Sequence, residues 1–541
     1  RGDVDAARAA SAFVAKGQFQ TQMIEHGFME PEAAIAYPYE DGVEVLSQGQ
    51  GIFEDRKQIA KLLGLELAQV RVKLVSNGGG FGGKEDLTVQ GHAALAAFVL
   101  GKPVKVRLTR DESIVMHTKR HPVWMDYEIG CDDKGKFTFV KVDFIGDTGA
   151  YASVGMKVIE RSAGHATGAY NFPVTDVKST SVYTNNLPCG AMRGFGVNQA
   201  MFGLESLVDD LCEQGGFDRW QLRYDNALVN GNMTATGQVI EGGAGARATL
   251  EAVKDAFYGA KYAGIACGLK NTGIGNGMPD ASGAKITIAA AEHVIIDHGW
   301  TEMGQGVNTV ALQVVCHETG IDPKFIEVRN ETASEQEAGM TTASRATSLV
   351  GNALIDACKQ LKIDLATQSL ADLVGREYAG EWRVEWTTKP GSMVEKVYTH
   401  YSYSYATQVV ILDEDTGKVA KIVAAHDAGK IFNRTLFEGQ IEGSLHMGLG
   451  YATSEELVLA GGRPKSTMLR KVGILRAKET PEMEVIGVEV PDPYGPYGAK
   501  GVGEIGLVPT AGAVANALYQ FDGVRRTTLP MRIPRRGLKK K

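Results

Sequence analysis

The sequence predicts an α+β fold, on three observations. Stretches with strand alternation and stretches with helical spacing are interleaved without strict βαβ order. Glycine-rich loops punctuate them, drawing on 66 glycines. At 541 residues the chain also exceeds what one core can serve, which points to two to four domains or large subdomains.

Taken in order, VRVKLV at 70–75 alternates like a strand and feeds SNGGGFGGKED at 76–86. Residues 87–100 are Ala-rich and apolar and are closed by Gly101 and Pro103, the signature of a buried helix with stop signals. Residues 125–129 and 137–145 flank CDDKGK and read as a hairpin. A strand at 182–187 leads into PCGAMRGFGVNQ and a helix over 201–211. The text then turns glycine-rich at 236–247 (TGQVIEGGAGAR), which places a boundary there and divides the chain into 1–240 and 241–541. The second half repeats the plan. Strands at 284–296, the loop HGWTEMGQG and a helix over 308–317 come first. TTASRATS then precedes a helix over 349–361, a hairpin at 408–412 and 419–425 spans DEDTG, and GPYGAKGVGE opens a helix over 509–518. No fixed-period repeat is visible.

Composition excludes several classes. A net charge of -7 without a basic stripe interleaved with aromatics argues against a nucleic-acid binder. The terminal RRGLKKK reads as a solvated tail. No stretch of about eighteen apolar residues suggests a membrane span. The start, RGDVDAARAA, has no apolar targeting region and no Met, so the expectation is a chain beginning partway through a larger gene product. Six scattered cysteines without a CxxC pair suit a reducing cytoplasm and offer no zinc or iron–sulfur site, so a redox cluster is expected on another chain.

Chemistry concentrates in five loops near helix starts: GGGFGGKE, AMRGFG, EMGQG, TTASRATS and GAKGVGE. Glycine admits close approach to the main chain, and successive N–H groups at a helix start favour anions. One such loop is commonplace, but five suggest a large phosphorylated or pterin-like cofactor held through backbone donors. The alternative is a glycine-rich scaffold without a ligand.

GGGFGGKE, AMRGFG, EMGQG and GAKGVGE, in this order, resemble the molybdenum-binding subunit of the xanthine dehydrogenase and aldehyde oxidase family, over nearly the whole chain from EHGFMEPEAA at 25–34. The resemblance implies two elongated mixed α/β molybdopterin-binding domains, 1–240 and 241–541, with the cofactor between them. The cofactor implied is molybdopterin, alone or as the cytosine dinucleotide, with a molybdenum–oxo–sulfido centre that needs no protein ligand. It also implies separate [2Fe-2S] and FAD subunits in a cytoplasmic hetero-oligomer, and a small heteroaromatic substrate.

By motif, Glu504 resembles the catalytic base, because a carboxylate there can take a proton from the oxygen that attacks an electron-poor carbon. Its bland alternative is a helix cap. Glu85 and Arg161 (in VIERSAGH) match the pair with which purine hydroxylases hold the heterocycle; otherwise they are a surface acid and a salt-bridged arginine. Phe195 matches an aromatic that packs on the substrate ring. Gln50, Phe81, Arg193 and Ala343 match the positions nearest the molybdenum. Gly80, Gly82, Gly304, Gln305, Gly306, Ser344, Gln440, Lys500, Gly501, Val502 and Gly503 match cofactor-binding positions.

The sequence also departs from the family pattern. KNTGIGNGMPDASG (270–283) has no aromatic where purine hydroxylases complete a sandwich around the ring, and Arg345 stands where a smaller apolar residue is usual. Gly194 occupies the place of the copper-holding cysteine of carbon monoxide dehydrogenases, which disfavours that chemistry. HTKRH (117–121) reads as a solvated loop rather than a metal site. The function implied is hydroxylation of a purine-like or other N-heterocyclic substrate. The alternatives are an aldehyde oxidoreductase or a non-catalytic molybdopterin-binding protein.

Overall fold

The computed structural model describes residues 1–534 and 537–539. Four four-stranded sheets share one construction. In each, three strands run antiparallel in succession and a fourth joins one edge in parallel. A parallel neighbour requires a crossover, and here the crossover carries a helix. The sheet of Ala33–Tyr39, Gly42–Ser47, Val70–Leu74 and Val104–Arg107 crosses over through helix Ile52–Leu63. That of Phe13–Thr21, Val123–Cys131, Phe137–Gly149 and Val174–Tyr183 uses Gly155–Gly164. The third sheet, Asp280–Ala290, His293–His298, Ile326–Arg329 and Glu377–Val384, uses Val307–Thr319. The fourth, Ala263–Thr272, Ser402–Leu412, Val419–Asp427 and Glu482–Val488, uses Arg434–Thr453.

After each parallel strand the chain leaves the sheet as a loop and re-enters as a helix: Val89–Leu100, Val197–Gly215, Ala346–Leu365 and Thr510–Asp522. One complete unit is nested between Phe13–Thr21 and its partner strand Val123–Cys131. Another is nested between Ala263–Thr272 and Ser402–Leu412. The same topology therefore occurs twice along the chain. The largest core runs from Ala15 to Met531 and joins the second and fourth sheets, while the nested sheets have cores of their own.

The predicted elements are present with shifted ends, and four expectations need correction. The strand expected at 182–187 ends at Tyr183, where the chain turns towards the AMRGFG loop. The helix Val89–Leu100 is not buried all round: Ala93, Ala94 and Ala97 face the sheet, but Leu95, Phe98, Val99 and Leu100 are exposed, because a helix laid on one sheet buries only one face. HTKRH is no solvated loop. His117, Lys119, Arg120 and His121 are buried, and the Glu25 carboxylate stands 2.8 Å from His117 Nε2 and 2.9 Å from Lys119 Nζ. Of the basic terminus, Arg535, Arg536, Lys540 and Lys541 lie outside the described residues, whereas Gly537 is buried and Leu538 donates its N–H to Thr416 O at 2.8 Å.

Candidate active site

The loops that follow the four parallel strands converge, and side chains lock them to one another. The Arg193 N–H donates to Phe81 O at 2.8 Å, joining AMRGFG to GGGFGGKE. The Arg193 guanidinium reaches Gly503 O, Gln440 O and Gln440 Oε1, so GAKGVGE and the helix Arg434–Thr453 are held as well. Burial pulls this guanidinium down to about 10. Gln50, at the end of Gly42–Ser47, accepts from Gly82 N (2.9 Å) and Lys84 N (3.2 Å) and donates to Thr341 O (3.1 Å). It staples the first loop to TTASRATS and keeps one further amide N–H. A Cβ on Gly80 would meet Gln50 Oε1 at 2.5 Å and Met303 Sδ at 3.0 Å, which brings EMGQG to the same place.

Backbone strain concentrates here. Phe81 (φ 55°), Phe195 (φ 47°), Ala343 (φ 55°) and Ser344 (φ 52°) are non-glycine residues in the left-handed region. Each such residue costs about 1 kcal/mol or more, and packed surroundings must impose it.

Glu504 lies at the convergence, 8% exposed. Oε1 accepts from Gly194 N at 3.2 Å, and Oε2 accepts from the Ser344 hydroxyl at 3.2 Å. Lys270 Nζ stands 3.1 Å from the same Oε2. A cavity of about 1020 Å³ opens beside this carboxylate, and Glu85, Arg161, Phe195, Lys270 and Ala343 line it too. Arg161 is buried, donates to Ile274 O at 2.8 Å and contacts the His400 ring, while its Nε has no partner. Burial, and then Arg161 itself, holds His400 well below the usual imidazole range, so the ring accepts as a neutral group. Burial pushes the Glu85 carboxyl up to about 8, with a Thr342 hydroxyl bond opposing.

Two other expected side chains point elsewhere. The Gln305 amide braces its own loop, accepting from Met303 N (2.8 Å) and donating to Thr301 O (2.7 Å). The Lys500 ammonium turns into the core, ion-paired with Asp427 and donating to Gly243 O at 2.6 Å. Phe81 is 37% exposed. Gly304, Gly306, Val502 and Gly503 lie on the converging loops, and Gly501 is in such close contact that a Cβ would sit 1.9 Å from Ser344 O.

Three residues of the site were not anticipated: Lys270, Asp280 and His400. The first two lie in the stretch that departs from the family pattern. Asp280 pairs with Arg345, the other departure, and accepts from Ile274 N at 2.8 Å.

Comparison with known proteins bears on this geometry. Models of the molybdopterin cofactor-binding domain match residues 1–227 and 244–481. A probable xanthine dehydrogenase subunit from Bacillus subtilis is 31% identical over 99% of this chain and 79% of its own length. The chain belongs to the molybdenum-binding subunits of the xanthine dehydrogenase and aldehyde oxidase family. As a molybdenum hydroxylase subunit it is a molybdopterin-dependent oxidoreductase. It is also 40% identical to the nicotinate dehydrogenase large molybdopterin subunit of Eubacterium barkeri, over 47% of this chain and 60% of that one. The aldehyde oxidoreductase of Desulfovibrio gigas superposes with a TM-score of 0.90 at 27% identity, over 98% of this chain and 61% of that one.

The residues present fit a metal that arrives on its own organic ligand. Loop backbone, an amide and a carboxylate converge, with no cluster of imidazoles or thiolates among them. Among the described residues the group able to hold an ion directly is Glu25, His26 and His117, which lies buried with Lys119 already paired to Glu25. No helix among the described residues is long and apolar enough to cross a membrane.

Proposed function

We propose that this subunit hydroxylates an electron-poor carbon of a purine-like or other N-heterocyclic substrate, with Glu504 as the general base. One observation carries the reading: the Glu504 carboxylate opens on the cavity that Glu85, Arg161 and Phe195 also line. When bound, the cofactor supplies a water-derived oxygen and accepts two electrons from the substrate. The protein does the rest. Gly194 N–H and Ser344 Oγ orient the carboxylate that takes the proton. Arg161, buried and with a free Nε–H, offsets negative charge developing on the ring, where low dielectric makes it count. Glu85, neutral below about pH 8, donates a hydrogen bond to a ring nitrogen or carbonyl. Phe195 offers its face to the ring.

The cofactor is seated by Gln50, Phe81, Arg193, Ala343 and Ser344 with the glycines of the four loops other than TTASRATS, across two cofactor-binding domains divided near residue 240. It is molybdopterin, alone or as the cytosine dinucleotide, with an oxo–sulfido centre. Electrons leave through separate [2Fe-2S] and FAD subunits in the cytoplasm. The naming of relatives as subunits of dehydrogenases supports this assembly.

Dye reduction by purines and other N-heterocycles, compared with aldehydes, tests the substrate class; reduction by aldehydes alone replaces this reading. Glu504→Gln tests the base. Turnover is expected to fall about 10²–10⁴-fold with molybdenum and pterin content unchanged, and unaltered turnover removes Glu504 from the role.

A further inference from the structure

Lys270 occupies an expensive position. It lies on Ala263–Thr272, a strand whose residues are all buried, and is itself 1% exposed. Burying an ammonium costs several kcal/mol unless a carboxylate and hydrogen bonds compensate. Lys270 has Asn271 Oδ1 at 2.9 Å, and among the described residues its one carboxylate partner is Glu504. A lysine kept for the fold would be paired with a structural acid; this one is paired with the acid that faces the substrate cavity, and lines that cavity with it.

We infer that Lys270 is a positioning residue for Glu504: its ammonium, with the Ser344 hydroxyl, fixes Oε2 while Gly194 N–H fixes Oε1, so that the proton-accepting carboxylate has one orientation. The inference rests on Glu504 being the base. No bond is made or broken at Lys270. A proton passes to the carboxylate, and the ammonium keeps its own.

The groups facing Lys270 set when this works. Glu504 favours the ammonium, whereas Arg161 opposes it. His165 and His400 are held neutral by burial and add no charge. Burial is the largest influence and brings Lys270 down to about 8. The ammonium is therefore present below that pH, and the pairing is lost as pH rises through it. Removing the Glu504 charge takes away a stabilising neighbour, so Lys270 then titrates lower still.

The test uses the assembled holoenzyme with Lys270→Met and Lys270→Arg. Lys270→Met is expected to retain molybdenum and pterin, to lose about tenfold or more in kcat with KM little changed, and to show a shallower alkaline fall near pH 8 than the wild type, the remaining fall being that of Glu85. Glu85 is present in both proteins and cancels from that comparison. Lys270→Arg is expected to restore most of kcat and to carry activity to higher pH, since a guanidinium stays charged. A readout independent of turnover is the ¹³Cε resonance of Lys270, assigned by its absence in Lys270→Arg and titrated in wild type and Glu504→Gln. It should titrate near 8 in the wild type and lower in the variant. Wild-type kcat and pH profile in Lys270→Met, or a Lys270 titration unmoved by Glu504→Gln, overturns the inference. Retained turnover in Glu504→Gln with a shifted Lys270 signal instead leaves the pair intact and removes Glu504 as base.

Discussion

Arg345→Met is the sharpest test of how this site is braced. The Arg345 guanidinium is ion-paired with Asp280, and the two side chains are 4% and 0% exposed. It also donates to Met340 O at 2.7 and 3.2 Å and lies 5.1 Å above the Trp300 ring. Removing the arginine leaves Asp280 charged in a dry interior, and breaking such a pair costs about 3–5 kcal/mol. Asp280→Leu made together with Arg345→Met leaves no orphaned charge. It still strips Ile274 N of its acceptor, which costs about 1–3 kcal/mol. The double variant should therefore be more stable than Arg345→Met alone, and the two single effects should sum to at least about 3 kcal/mol more than the double effect. Urea unfolding of the four proteins, followed by tryptophan emission, reads this out, and Trp300 beneath the guanidinium is a local reporter. The reasoning fails if Arg345→Met lies within about 0.5 kcal/mol of wild type. It fails equally if the two single effects simply add.

Two further outcomes follow from packing and titration. Gly501→Ala places a Cβ 1.9 Å from Ser344 O and 2.7 Å from Ser344 Cβ. Two loops must then part, so cofactor content per chain should drop several-fold and stability by about 1–3 kcal/mol; a fully loaded variant would show that the contact is not needed. Glu85, raised to about 8 by burial, is protonated in the folded chain where an unfolded glutamate is ionised. Its contribution is fully present below the ordinary glutamate range of about 4 and is lost as pH rises through about 8. Glu85→Gln should therefore flatten the stability loss over that window, and identical stability-against-pH curves for the two proteins would contradict the shift.

The loops were legible because each carries its own chemistry: small residues for close approach (glycine in all but TTASRATS), polar side chains, and a helix start behind them. What joins them was not. The unit of two strands, a crossover helix, a parallel strand, a loop and a helix occurs four times, but its crossovers differ too much in length to show as a period. The helix Arg434–Thr453 was missed because Gly439, Gly443, Gly448 and Gly450 each weaken helix propensity by about 1 kcal/mol. Packing decides there. A Cβ on Gly448 would meet Thr510 Oγ1 at 2.5 Å, so the glycine lets the crossover helix approach Thr510–Asp522. HTKRH was misjudged because the acids that compensate it, Glu25 and Glu32, stand some ninety residues earlier, beyond the reach of any local pattern.

The departures from the family pattern become intelligible once they are seen together. The stretch 270–283 lacks the aromatic expected there, yet it supplies Lys270 to Glu504, Ile274 O to Arg161 and Asp280 to Arg345. An arginine at 345 without Asp280 would be an unpaired buried charge, and Asp280 without Arg345 would be another. The two are physically one substitution. A wall built this way exchanges the flat apolar face of a ring for fixed charge beside the Glu504 carboxylate, and so orients the group proposed as the base where an aromatic sandwich would grip the substrate. Under the proposed function, ring stacking then falls to Phe195 from one side, which favours substrates held at their polar edge by Glu85 and Arg161 over those held by their faces.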